Sequence, residues 1–157
     1  RAYVIPMIKE ILKVRPDLTI FASPWSPPGW MKTGGNLGGG YMREKYVDVY
    51  ADYIIKFVKE YEKEGIKIYG ITPQNELETQ QDGTMPACDW HPDVEAKFIK
   101  SLKAKLTKAG MDLKIWAYDH NFVNTDRVLW TLDEHNLAKD VEGIAQQFLF
   151  HWRRNVE

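Results

Sequence analysis

Apolar positions recur along the chain with helical spacing in some stretches and as short continuous runs in others, and the alternation delimits its elements. In residues 3–14, Val4, Met7, Ile8, Ile11 and Leu12 fall on one helical face. Pro16 closes that segment, because a proline clashes with helical backbone at the residue before it. Residues 18–21 are predicted as a short buried strand, and a glycine- and proline-rich loop follows over 23–40. Residues 42–64 carry the clearest amphipathic pattern. Tyr46, Val49, Tyr50, Tyr53, Ile54, Phe57 and Tyr61 share one face while Lys and Glu occupy the other, and Gly65 suits a C-terminal cap.

The order then repeats. Residues 66–71 form a β-branched strand, followed by a polar loop through Trp90. Pro92 opens the next helix, with Asp93 and Glu95 in its first turn against the positive end of the dipole. Its apolar face is Val94, Phe98, Ile99, Leu102 and Leu106, and Gly110 ends it. Residues 113–117 are a third strand, 125–138 a helix capped by Asn124 or Thr125, and 141–145 a fourth strand. No linker or low-complexity stretch intervenes, so residues 1–157 read as one partial domain with no second domain visible.

Strand, loop and helix in repeated alternation predict an α/β fold on a parallel sheet. The long loops all follow strands, which puts the functional loops on the carboxyl edge of either a doubly wound sheet or a (β/α)8 barrel. No strand is followed by a G-x-G-x-x-G or G-x-x-x-x-G-K turn, and the glycines at 34–40 lack the phosphate-loop lysine. That favours the barrel. A whole barrel takes roughly 250 residues. Four strands therefore make a partial (β/α)8 TIM barrel of about four βα units.

Composition narrows the function. The 157 residues are 44% hydrophobic and 27% charged, which excludes a disordered chain. Lys plus Arg number 21 against 22 Asp plus Glu, so no basic field recruits nucleic acid. No apolar run is long enough for a membrane span. One cysteine, Cys88, excludes an internal disulfide framework and reads as structural. Gathering His91, His120, Glu76 and Asp119 gives no zinc-ligand spacing, so neither metal nor cofactor is expected. The chain opens at Arg1 already in a helical pattern and reads as a piece of something longer.

Three strand ends carry candidate chemistry. After the second comes Thr72-Pro73-Gln74-Asn75-Glu76, where Glu76 is a carboxylic acid at the working edge of a barrel and Asn75 can meet a sugar hydroxyl. Glu76 as a solvated loop carboxylate and Asn75 as a turn former is the competing reading. After the first strand, three prolines stiffen a loop bearing Trp25 and Trp30, whose flat faces suit sugar C–H groups or simple packing at the barrel top. After the third, Asp119 and Asn121 either reach the cavity, positioning sugar hydroxyls or supporting Glu76, or cap the following turn. Glu78, Asp82 and Asp89 read as solvated loop charges.

Together, ASPWSPPGWMKT, ITPQNE, DGTMPACDW, KIWAYDHN and VEGIA, in this order, resemble glycoside hydrolase family 30, from about residue 5 to Ala145. That family holds glucosylceramidases and related β-glycosidases cleaving xylan and β-1,6-glucan. The resemblance implies a retaining hydrolase acting on a β-linked glycoside or glycan by double displacement. It makes the visible strands the third to sixth of the barrel, Glu76 the general acid/base, and Asn75 and Trp25 sugar-binding residues. Asp119 and Asn121 fall near the cavity. The ionised nucleophile would keep the acid protonated. That nucleophile belongs at the end of the seventh strand, so the segment alone is expected to be inactive. Secretion or a lysosomal location follows by analogy only. Leu77 stands where the family commonly has proline, and the sequence after Ala145 departs from the family's histidine and aromatic motif, so no site residue is assigned beyond it. The competing function is a non-catalytic carbohydrate-binding half-barrel that pairs its open edges as a dimer.

Overall fold

The computed structural model describes residues 2–79, 84–122 and 124–147. Helices and strands alternate as α1 (Val4–Val14), β1 (Phe21–Ala22), α2 (Val47–Lys63), β2 (Gly70–Ile71), α3 (Pro92–Ala109), β3 (Lys114–Asn121), α4 (Thr125–Asp133) and β4 (Gly143–Gln147). The strands pair in parallel in the order β1-β2-β3-β4. Each successive strand thus lies beside the previous one, as in a partial (β/α)8 barrel.

Capping chemistry explains where the helices begin and end. Gly65 adopts φ 78° just past α2, and Ile66 N–H returns to the Tyr61 carbonyl at 3.0 Å while Gly65 N–H reaches Glu62 at 2.9 Å. Pro92 starts α3, and the His91 ring accepts from Asp93 N–H at 3.3 Å. Asn124, one of the two caps the sequence offered, accepts from Arg127 N–H at 3.3 Å.

Several boundaries differ from the sequence pattern, each for a local reason. The ladder between β1 and β2 is confined to Phe21 opposite Gly70 and Ala22 opposite Ile71. Ile66 and Ile68 are buried core residues ahead of that ladder, so their apolar character reflects packing rather than strand pairing. The segment predicted as helix from residue 42 begins with a 3-10 turn at Glu44–Tyr46, because Met42 pairs with Lys32 in an isolated antiparallel bridge and Arg43 is extended. α4 stops at Asp133 rather than 138, where Leu137 N–H closes on the Leu132 carbonyl and Asn136 turns to φ 50°. β3 runs past residue 117 because a bulge between Tyr118 and His120 lets pairing with β4 resume.

The core lies between the helices and the sheet. Tyr50 of α2 meets Phe98 of α3 at 5.2 Å and Trp90 at 5.8 Å between ring centroids, beside buried Ile54, Val58, Ile99 and Leu102. Full burial of each such side chain is worth about 1.5–3 kcal/mol. Elsewhere Phe21 packs on Trp116 at 4.7 Å, and a Cβ on Gly70 would lie only 2.3 Å from a Trp116 ring carbon. Glycine is required there for space.

Candidate active site

Hydrogen bonds running across the strands lace the carboxyl edge of the sheet together. Asn75 N–H donates to the Pro24 carbonyl at 2.8 Å, tying the loop after β2 to the loop after β1. Gln74 adds a side-chain bond to the Trp25 carbonyl. On the other side, Glu76 N–H donates to the Asp119 carbonyl at 2.8 Å. Glu76 itself holds φ 50°, and Tyr118 and Asp119 hold φ 76° and 66°. Left-handed backbone at a non-glycine residue costs of order 1–3 kcal/mol, so the surrounding bonds must hold it in place.

Asp119 is the centre of that lacing. Its side chain is nearly buried, at 7% exposure. Oδ2 accepts from Ser23 Oγ of the β1 loop and from Thr72 Oγ1 at 2.7 Å, while Oδ1 accepts from Gln147 Nε2 of β4 at 2.9 Å. One carboxylate therefore joins four consecutive strand ends. The same Gln147 nitrogen reaches Asn75 Oδ1 at 3.0 Å.

Above this belt lies a cavity of about 310 Å³ lined by Trp25, Asn75, Glu76, Thr79, Met85, Pro86, Ala87 and Gln147. Three of the five candidate residues thus share one cavity. Trp25 is half-exposed beside the acid. Asp119 stands outside the lining; its side chain meets Ser23, Thr72 and Gln147, and its main-chain carbonyl accepts from Glu76 N–H. Asn121 ends β3 outside the lining, and its Oδ1 is buried without a hydrogen-bond partner among the described residues. Trp30 packs edge-on against Tyr46 at 5.1 Å and is not part of that lining.

A buried ionic chain backs the bulge. Arg127 of α4 is 7% exposed; its Nη1 meets Glu95 Oε2 at 2.7 Å and its Nε lies 3.1 Å from Glu78 Oε1. The other oxygen of Glu95 accepts from Tyr118 N–H at 2.8 Å, and Tyr118 Oη donates to Glu78 at 3.2 Å. Desolvation, aided by the Glu78 charge, pushes the Tyr118 hydroxyl up to about 12. Glu95 thus serves the core as well as the helix dipole. Glu78 is not the solvated charge its polar surroundings in sequence suggest, because α4 brings it a cation. Asp89, unlike the partly exposed Glu78, is buried, at 5% exposure, and Asp82 lies outside the described residues.

The chain matches the model of the glycosyl hydrolase family 30 TIM-barrel domain over residues 1–155. It belongs to glycosyl hydrolase family 30. It is 37% identical to an endo-1,6-β-D-glucanase of Neurospora crassa over 120 residues, covering 73% of this chain and 25% of that protein. It is 35% identical to putative glucosylceramidase 4 of Caenorhabditis elegans, covering 96% of this chain and 30% of the relative. The crystal structure of SrfJ from Salmonella typhimurium superposes with a TM-score of 0.83 at 34% identity, covering 91% of this chain and 33% of the other. The chain therefore spans about a quarter to a third of the length of these family 30 proteins.

Two contributors to this candidate site escape sequence reasoning. Gln147 lies after Ala145, where the family motif is lost, and only strand register brings it to Asn75. Lys32 is fully buried, and its ammonium donates to the carbonyls of Gly39 at 2.9 Å and Ala87 at 2.7 Å and to that of Leu37. Burial pulls this lysine below its usual range. The ammonium ties the glycine-rich loop to Ala87 in the cavity wall. Lys32→Met should therefore destabilise the protein by roughly 1–3 kcal/mol, since it orphans buried acceptors. Urea unfolding of the variant would show a lowered midpoint; an unchanged midpoint would mean that water replaces the ammonium.

Cys88 is buried, and burial pushes its thiol up to about 12, which suits a packed side chain rather than a nucleophile. Among the described residues, no helix is long and apolar enough to cross a membrane.

Proposed function

We propose that the complete protein carrying this segment is a retaining β-glycosidase, with Glu76 as general acid/base and Trp25 and Asn75 holding the sugar. The observation that carries this is the meeting of Glu76, Asn75 and Trp25 in one cavity at the carboxyl edge of a family 30 barrel segment. The belt through Asp119 fixes the Glu76 backbone, so the acid approaches the leaving oxygen in a set geometry. In the first step a carboxylate on a later strand of the barrel attacks the anomeric carbon while Glu76 gives its proton to the departing oxygen. In the second, Glu76 removes a proton from water, and that water releases the sugar with its configuration retained.

The relatives point to β-1,6-glucan and glucosylceramide as the substrates to try first. Proton NMR of the first-formed sugar on each substrate tests the reading. A β-anomer is expected. An α-anomer, or no cleavage of any β-glycoside, would overturn it.

A further inference from the structure

We infer that Gln147 is a positioning residue that sets which end of the Asn75 amide faces the sugar. The inference rests on the glycosidase reading and names one part of its machinery. Its basis is the polarity of three side chains in a row. Asp119 Oδ1 can only accept, and the group 2.9 Å from it on Gln147 must therefore be the amino end of that amide. The same nitrogen lies 3.0 Å from Asn75, and an amide nitrogen has only protons to give. Asn75 must then turn its oxygen towards Gln147. Its own amino group is then the end not engaged by Gln147, on a residue that lines the cavity with Gln147 and Glu76.

The chain of polarity is Asp119 acceptor, Gln147 donor, Asn75 acceptor, then Asn75 donor to substrate. Asp119 cannot drift to break it, because Ser23 and Thr72 hold its other oxygen. The site is thereby specified for an oxygen acceptor on the sugar, and a substrate group that can only donate would meet a second donor. Without the Gln147 donor, either end of Asn75 could face the sugar.

The test uses the complete enzyme with a β-glycoside, its monodeoxy analogues and the matching deoxyfluoro analogues, because a hydroxyl can donate or accept whereas fluorine only accepts. In the unmodified enzyme, removing the one hydroxyl that Asn75 meets should lower kcat/KM about tenfold, the worth of one hydrogen bond at an enclosed site. Gln147→Glu keeps the shape and turns the Asn75 oxygen to the sugar, which can take a bond from a hydroxyl but not from fluorine. The ratio of fluoro to deoxy kcat/KM at that position should therefore fall about threefold from the unmodified enzyme to the variant, a comparison in which the inductive effect of fluorine cancels. Gln147→Met frees Asn75 to turn either way, so the ratio should fall less, and it serves if the glutamate variant fails to fold. A merely structural role would lower activity on all analogues alike and keep the ratio. That result would overturn the inference while leaving the glycosidase reading intact. Failure of the unmodified enzyme to cleave any β-glycoside would remove both.

Discussion

Glu76→Gln in the complete enzyme is expected to lower kcat/KM by about 10²–10⁴-fold on glycans and alkyl glycosides, whose leaving oxygens need a proton. Glutamine keeps the size of the side chain and the N–H that bonds Asp119, so backbone and cavity should persist. On an aryl glycoside with a strongly acidic phenol, formation of the glycosyl-enzyme needs no acid and should be nearly unaffected. Its breakdown still needs a base, so a burst of phenol followed by slow turnover is expected. Stopped-flow absorbance separates the two phases. Equal losses on both substrate types would remove Glu76 from the acid/base role, and no loss on the alkyl glycoside would remove it from catalysis.

The second large effect concerns stability. Arg127→Met should destabilise the protein by about 3–5 kcal/mol, because it strands the charge of Glu95 in a site that excludes water. Glu95 is fully buried, and one of its oxygens is already committed to Tyr118 N–H, so the side chain cannot swing out without freeing the bulge. A glutamine at 95 can keep that acceptor while removing the charge. Arg127→Met combined with Glu95→Gln should therefore recover much of what the single change loses. Denaturant midpoints at constant slope give the comparison. If the double variant is no better than the single one, the loss comes from packing around the guanidinium rather than from the stranded charge.

The scaffold and the place of the candidate acid were legible in the sequence because their signals are local. Helical periodicity, Gly65, Pro92 and Gly110 mark elements within a few residues of themselves, and Glu76 lies in the loop that follows β2. What stayed hidden depends on contacts across the chain. Glu78 and Arg127 are far apart in sequence, and neither carries a mark of the other. Lys32 carries no mark of burial in its own neighbourhood, and the carbonyls that hold it come from the fold of residues 34–40 and from distant Ala87. The bulge places left-handed backbone at Tyr118 as well as at Asp119, and although aspartate tolerates it, a tyrosine rarely adopts it, so propensity does not foretell the pair. Gln147 is placed by pairing register beyond that bulge, which made the strand end the hardest part to read.

The strand order carries a consequence for synthesis. Since β1, β2, β3 and β4 lie side by side in the order they are made, each strand emerging from the ribosome finds its pairing edge already complete behind it. No strand has to wait for a later one to be inserted between itself and its neighbour. The acid-bearing loop is the exception, because Glu76 N–H has no acceptor until Asp119 has been translated. The sheet can grow with the nascent chain, whereas the cavity takes its final shape only after its last contributing strand is out.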